Sequence, residues 1–311
     1  MNQISQKPSW IKARIPNSTN YKHLKALIRN LNLNTVCEEA KCPNIGECWG
    51  AGTLTFMILG DTCTRSCGFC HVKTGKGEEL DWEEPQRVAE AVSKLIENSA
   101  YINHIVITSV NRDDKNYESA CIFAETIKKV RQYNSGIKIE VLIPDFKGDL
   151  EALKEVLGSA PDVLNHNIET VPRLYYLPQR TTTGKNRAVR PQAKYEWSLR
   201  ILEESKHHGH DGILTKSGIM LGLGEEIEEV IETLRDLKSA GCDIVTVGQY
   251  LQPSKDHLPV SRYYHPLEFE SLKKYGEKII GIPHIESGPL VRSSYHAEKQ
   301  VHKMTEVLRQ N

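Results

Sequence analysis

The chain has 311 residues, 39% hydrophobic and 26% charged, enough to bury a full core in one large domain or two modest ones. Forty basic and forty acidic residues cancel, which argues against a general affinity for nucleic acid or an anionic membrane surface. No apolar run reaches the length of a signal segment or a membrane span, so we expect no membrane insertion, a cytoplasmic location and a reducing environment.

The first 36 residues carry six Lys or Arg and no acid, but Pro8 and Pro16 interrupt any amphipathic targeting helix. A helix is expected from about Tyr21 to Leu31. Next comes Cys37-Glu-Glu-Ala-Lys-Cys42-Pro-Asn-Ile-Gly-Glu-Cys48-Trp49, a C-x4-C-x5-C triplet that by itself suits either a zinc loop or an iron-sulfur cluster. Six of the eight cysteines lie between Cys37 and Cys70, and a reducing compartment argues against reading them as a disulfide framework. Cys121 and Cys242 stand alone in apolar segments and are expected to be packed core thiols.

After residue 54, β-branched runs alternate with segments of helical period, the pattern of βα units and a parallel sheet. Strands are expected at Thr55 to Gly60, His104 to Val110, Lys138 to Pro144, Val163 to Glu169, Leu214 to Leu221 and Ile244 to Leu251. The first helix carries Val88, Val92, Leu95 and Ile96 on one face, with Pro85 suited to its start. In the fifth, Ile227, Val230, Ile231, Leu234 and Leu237 recur at helical spacing. Six units are too few for a closed eight-unit barrel. We therefore expect an α/β fold built on an open, partial (β/α)6 barrel, with a doubly wound sheet as the alternative. On this reading residues 1–54 form an N-terminal extension, 55–282 the barrel and 283–311 a C-terminal extension.

Directly after the first barrel strand stands Cys63-Thr-Arg-Ser-Cys67-Gly-Phe-Cys70, a C-x3-C-x2-C cluster. Structural zinc draws on four ligands, whereas three thiolates in one tight loop leave the fourth iron of a cubane open to bind and reduce a small molecule. His71 follows Cys70 too closely to point at the same centre. Asn111 and Glu169 sit at or past strand ends, where they can bind a polar ligand or cap neighbouring backbone. The segment from Thr170 to Arg190 carries Arg173, Arg180, Lys185, Arg187 and Arg190 without an acid, either as a solvated surface or facing a carboxylate or an acidic partner. Gly222-Leu-Gly224-Glu lacks the third glycine of a dinucleotide fingerprint.

The Cys63, Cys67 and Cys70 spacing resembles the radical S-adenosylmethionine superfamily, and the upstream triplet Cys37, Cys42 and Cys48 resembles the auxiliary-cluster motif of the lipoyl synthases within it. The same family is matched by Thr108-Ser-Val-Asn-Arg-Asp-Asp114, Val141-Leu-Ile-Pro-Asp-Phe-Lys-Gly148, His166-Asn-Ile-Glu-Thr-Val-Pro-Arg173, Thr215-Lys-Ser-Gly-Ile-Met220, Gly248-Gln-Tyr-Leu-Gln-Pro-Ser254 and Val291-Arg-Ser-Ser-Tyr-His296. The likeness runs from Lys7 to Ala297, apart from a longer basic loop around Leu177 to Asn186 and Gly224-Glu-Glu226 in place of Gly-Glu-Thr.

The resemblance implies two 4Fe-4S clusters. One, on Cys63, Cys67 and Cys70, would bind S-adenosylmethionine, with Asn111 and Glu169 as further contacts; the other, on Cys37, Cys42 and Cys48, would be a sulfur donor. The serine pair in Arg292-Ser293-Ser294-Tyr295 implies an alkoxide as the missing ligand of the second cluster, with Ser294 chosen over Ser293; a turn or capping role is the bland alternative. The implied reaction inserts sulfur at C6 and C8 of a protein-bound octanoyl-lysine on a lipoyl carrier domain or glycine-cleavage carrier protein. An electron donor protein and an iron-sulfur assembly factor are the implied accessory partners. Two other readings compete: a radical methylthiotransferase, against which stands the lack of an appended basic RNA module, and a zinc-binding interaction protein, which leaves the βα array unexplained.

Overall fold

Each of the six β-branched runs forms a strand, and the sheet has two strands more than expected, one at each edge. In the computed structural model the main sheet comprises β1 (Asn34–Thr35), β2 (Thr55–Ile58), β3 (His104–Ser109), β4 (Lys138–Leu142), β5 (Val163–Asn165), β6 (Leu214–Leu221), β7 (Ile244–Gln249) and β8 (His284–Gly288). The structure describes residues 7–13, 16–50, 54–98 and 102–310, so residues 1–6, 14–15 and 51–53 of the expected N-terminal extension lie outside it.

Helices α1 (Thr19–Asn30), α2 (Val36–Glu39) and α3 (Ile45–Gly50) belong to the N-terminal segment. One helix then occupies each crossover: α4 (Glu84–Asn98), α5 (Asn116–Tyr133), α6 (Leu150–Gly158), α7 (Tyr195–His208), α8 (Ile227–Ser239) and α9 (Pro266–Tyr275), and α10 (Ala297–Gln310) follows β8. Spatial order in the sheet repeats chain order from β1 to β8, and every pair except β1 with β2 is parallel. A doubly wound sheet reverses its strand order at a switch point, and this one never does. The barrel-type winding therefore holds, and β1 and β8 remain open edges among the described residues.

Side-chain alternation along the end of β5 separates core from lumen. Leu164 and Ile168 are buried in the core, and His166 donates or accepts at Ser198 Oγ of α7 (2.9 Å), so this set faces the helices. Asn165, Asn167 and Glu169 take the opposite face. On α8, Val230, Leu234 and Leu237 are buried as its period predicts, whereas Ile227, at the first position, is exposed. The thiol expectation splits in the same way: Cys242 is buried beneath β7, but Cys121 on α5 is only partly covered.

The lumen holds a fully buried ion pair. Lys216 Nζ of β6 lies 2.9 Å from Glu140 Oε1 of β4, and Asn165 Nδ2 donates to the same oxygen at 2.8 Å. Burial alone would raise the Glu140 carboxyl, but the Lys216 ammonium and His104 outweigh it and hold it at about 2. Removing one partner of such a pair leaves an uncompensated charge in low dielectric. Lys216→Met is therefore expected to cost about 3–5 kcal/mol of unfolding free energy in urea titration. The depressed Glu140 carboxyl contributes stability in full above its ordinary value of 4.5, and that contribution is lost as pH falls toward about 2. A Glu140→Gln protein should lack this segment of the pH-stability profile.

Candidate functional site

The Cys63 to Cys70 loop leaves the carboxyl end of β2. Thr62–Cys63 pairs with Lys73–Thr74, and Cys63 Sγ accepts backbone N–H bonds from Arg65 (3.4 Å) and Asn111 (3.3 Å). Arg65, between two of the cysteines, turns its guanidinium inward onto Asp113 (2.9 Å) and Asp145 (2.8 Å). That buried fork locks the loop to the ends of β3 and β4. Gly68 is clasped on both sides: its N–H donates to Ala188 O (3.0 Å) and its carbonyl accepts from Leu258 N (3.0 Å). A Cβ at Gly68 would stand 2.5 Å from Ala188 O, so only glycine fits.

Cys67 and Cys70 keep some exposure but sit deep in the barrel mouth. Burial pushes the Cys67 thiol up to about 11, with the Arg190 cation opposing and Cys63 adding to the rise. It pushes Cys70 up to about 12, with Cys67 the next largest cause. The three sulfurs therefore feel one another's charge, and iron would invert the balance by holding them as thiolates. His71 takes no part, because its Nδ1 lies 3.1 Å from the Glu39 carbonyl and its ring stacks on His257.

Both expected polar residues reach this mouth. Asn111 bonds Cys63 through its N–H, and its buried Oδ1 has no partner among the described residues. Glu169 adopts a φ of 67°, strained for a side chain of its kind, and is held there by a bridge to Ile219 of β6. Its carboxylate accepts from Asn167 Nδ2 at 3.1 Å; burial raises its pKa, while Arg190 opposes the rise. Arg190 is thus the one member of the basic segment that turns inward, bonding Asn167 O and Tyr175 OH, each at 2.9 Å. Arg173 and Lys185 instead pair on the surface with Glu229 and Asp256.

The upstream triplet lies toward the amino end of β2, not at a carboxyl end. Cys42 N–H closes onto Cys37 O (3.0 Å) and Cys48 N–H onto Asn44 O (2.9 Å), which folds the triplet back on itself. One cavity is lined by Cys37, Cys42, Cys48, Thr55, Arg292 and Ser294. Thr55 Oγ1 donates to Ser294 Oγ at 2.9 Å, and Asn44 Nδ2 donates to Leu290 O at 2.7 Å, so the two ends of the chain meet here. Burial raises Cys37 to about 11, with the neighbouring Cys42 charge next, and the buried Trp49 indole favours its thiolate form. Ser293 points elsewhere, to Asn165 and Asn167. Arg65, Trp49, Thr55 and Asn167 are additions that sequence reasoning missed; only Arg65, inside the cysteine loop, carried a local signal.

A family model for the radical SAM superfamily matches residues 57–237, and one for the N-terminal domain of lipoyl synthase matches residues 2–42. The lipoyl synthase of Rubrobacter xylanophilus is 55% identical, covering 94% of this chain and 86% of that one. The mitochondrial lipoyl synthase of Nematostella vectensis is 52% identical, covering 95% of each. The chain belongs to the lipoyl synthase family. Among solved structures, methylornithine synthase superposes with a TM-score of 0.52 at 14% identity over 93% of each chain, a likeness of fold alone.

Membership of the radical SAM superfamily brings a 4Fe-4S cluster and S-adenosylmethionine to this lipoyl synthase family member. Among the described residues no three His, Cys, Asp or Glu side chains close around a single metal ion. The fit rests on other observations. The coupled thiols of Cys63, Cys67 and Cys70 supply a soft donor set, and the orphaned Asn111 Oδ1 supplies a buried acceptor beside it. At the second cavity the buried Trp49 indole N–H is aimed at Cys37, where it favours a thiolate and suits a cluster sulfur. No helix among the described residues is long and apolar enough to cross a membrane. Gly68→Ala must push the cysteine loop off Ala188, and a displacement near 1 Å is expected to slow S-adenosylmethionine cleavage about 100-fold. The measurement is 5′-deoxyadenosine release under dithionite by the anaerobically reconstituted protein.

Proposed function

We propose that Cys63, Cys67 and Cys70 hold the cluster that binds S-adenosylmethionine, and that Cys37, Cys42 and Cys48 with Ser294 hold a second, auxiliary 4Fe-4S cluster. The reaction is insertion of two sulfur atoms at C6 and C8 of an octanoyl-lysine carried by a lipoyl domain or glycine-cleavage carrier protein. The observation that carries this reading is the cavity in which three N-terminal thiols meet a serine from the far end of the chain. When bound, these groups supply a radical able to take hydrogen from an unactivated methylene, together with the sulfur that replaces it.

The chain's own residues do the rest. Asn111 and Glu169 orient S-adenosylmethionine through its polar groups, and Arg190 balances the Glu169 carboxylate in the barrel mouth. Arg65, fixed by Asp113 and Asp145, keeps the cysteine loop in one shape through turnover. Ser294 suits a donor that must break: iron held there would acidify its hydroxyl as it does bound water, yet hard oxygen is a weaker match than thiolate for a soft cluster. The segments 1–54, 55–282 and 283–311 would act as auxiliary-site, barrel and serine-bearing units. The cytoplasm is the matching compartment because it keeps free thiols reduced, and all eight cysteines are unpaired. An electron donor protein and a cluster-rebuilding factor are the partners this chemistry requires.

Anaerobic reconstitution should yield about eight irons per chain, and incubation with S-adenosylmethionine, dithionite and an octanoyl-lysyl peptide should give the lipoyl product by mass spectrometry. Replacing Cys63, Cys67 or Cys70 by Ala should abolish S-adenosylmethionine cleavage, whereas replacing Cys37, Cys42 or Cys48 should spare cleavage and stop sulfur insertion. Zinc without iron, or equal loss of cleavage from both sets in folded protein, would sink the assignment. Ser294→Ala is expected to retain S-adenosylmethionine binding and lose product, and Ser294→Cys to keep its cluster but withhold its sulfur. Lipoyl product from Ser294→Ala at the unmodified rate would remove this serine from the site.

A further inference from the structure

The two adjacent serines after β8 serve different neighbours. Ser294 lines the cavity of the upstream thiols, while Ser293 Oγ is engaged from both sides, by Asn165 Nδ2 and by Asn167 Oδ1, each at 2.8 Å. Both asparagines carry the contact onward. Asn165 also donates to Glu140 Oε1 (2.8 Å), which is paired with Lys216, and Asn167 Nδ2 donates to Glu169 Oε1 (3.1 Å).

The direction of every bond in this chain follows from its buried end. Ionised Glu140 can only accept, so Asn165 turns its amide NH2 toward it and has a second N–H left for Ser293. Ser293 then spends its own proton on Asn167 Oδ1, which turns the Asn167 NH2 toward Glu169. Reversing any one amide would leave two acceptors or two donors facing each other in the lumen, which is costly where the groups are taken out of bulk water. Gly218 of β6 makes room for the path, because a Cβ there would stand 2.8 Å from Asn167 Oδ1. Gly248 of β7 does the same for the serine turn, because a Cβ there would stand 2.2 Å from Val291 O.

We infer that Ser293 is a positioning residue that ties the setting of Ser294 to Glu169, so that occupancy of the S-adenosylmethionine site is felt at the auxiliary thiols. The inference rests on the reading of Cys37, Cys42, Cys48 and Ser294 as an auxiliary cluster site. Ser293 and Ser294 share a peptide bond inside a short turn, closed by Val291 N to Gly288 O (3.1 Å) and Tyr295 N to Arg292 O (3.0 Å). Such a turn has little freedom to absorb a shift of one serine without moving the other. A ligand that draws Glu169 toward itself pulls on Asn167, then on Ser293, and so resets the Ser294 oxygen.

The test uses the full chain, anaerobically reconstituted, as the unmodified protein and as Ser293→Ala, Ser293→Thr and Asn167→Ala. Iron per chain, the Mössbauer spectrum with and without S-adenosylmethionine, and the ratio of 5′-deoxyadenosine to lipoyl product are measured with dithionite and an octanoyl-lysyl peptide. In the unmodified protein S-adenosylmethionine should alter the auxiliary-cluster component of the spectrum, taken as the signal absent from the Cys37→Ala/Cys42→Ala/Cys48→Ala protein. Ser293→Ala should keep its iron and its cleavage activity, lose that spectral response, and raise the deoxyadenosine-to-product ratio about tenfold. Ser293→Thr, which keeps the hydroxyl, should restore both, and Asn167→Ala should likewise lose the spectral response.

An auxiliary signal that ignores S-adenosylmethionine in the unmodified protein overturns the inference. So does Ser293→Ala behaving like the unmodified protein, or losing cleavage and product in equal proportion, or losing auxiliary iron together with Asn167→Ala; the last two outcomes make Ser293 an ordinary structural anchor. If the triple cysteine variant keeps all its iron, it is the auxiliary-cluster reading that fails, and that result is separate from any Ser293 outcome.

Discussion

Val291 O rests against the Cα of Gly248, at a point where any other residue at 248 would put a Cβ 2.2 Å away. This close approach lets the turn after β8 enter the open side of the barrel instead of passing over it. Everything that joins the two ends of the chain lies downstream of it. The Leu290 carbonyl reaches Asn44, Ser294 reaches Thr55, and Tyr295 OH donates to Glu47 (3.0 Å). An open barrel leaves an uncovered flank, and here the N-terminal and C-terminal segments cover it together. The thiols of Cys37, Cys42 and Cys48 thereby acquire a wall made of residues from the opposite end of the sequence.

The interior of this barrel is polar, and its stability depends on charges meeting partners. Glu140 meets Lys216, and Arg65 meets Asp113 and Asp145, with each ion also hydrogen-bonded so that little of its desolvation goes uncompensated. Arg292 is the exception. Burial lowers its pKa, and the charges that oppose this are Cys42 and Glu169, one from each candidate site, while its hydrogen bond goes to the backbone of Val291. A guanidinium placed between a thiol set and a carboxylate is a fixed positive charge that favours anionic groups on both sides. At Cys42 it offsets part of the rise that burial causes.

The features legible in the sequence were those whose cause is local. β-branched runs and cysteine spacing depend on near neighbours, so six strands and both triplets could be read directly. β8 was missed because His284-Ile-Glu-Ser-Gly288 has a single large apolar residue and stands at an edge, where Ile285 and the His284 ring are all that it buries. Ile227 was read as core because period alone does not say where a helix leaves its sheet. The residues that support the site are long-range in origin. Asn165 with Ser293, Arg65 with Asp145, and Asn44 with Leu290 join positions 128, 80 and 246 apart. No periodicity encodes such pairs; they follow from the register of the sheet once it is closed by the serine turn.

That register also sets both candidate sites on one short strand. β2 begins at Thr55, which touches Ser294 beside the upstream thiols, and its carboxyl end runs into the loop of Cys63, Cys67 and Cys70. The two sites are thus set along the same backbone, and the side chains between them, Asn165, Asn167 and Glu169, come from one face of β5 and its continuation. On the proposed reading of the upstream thiols, a substrate carbon that must first lose hydrogen and then gain sulfur has to meet both sites without leaving the lumen. A rigid strand fixes the separation of the two loops, and the hydrogen-bonded asparagines fix what faces the space between them. The flexible part of the problem is left to the acyl chain, whose length and freedom of rotation let successive carbons come within reach.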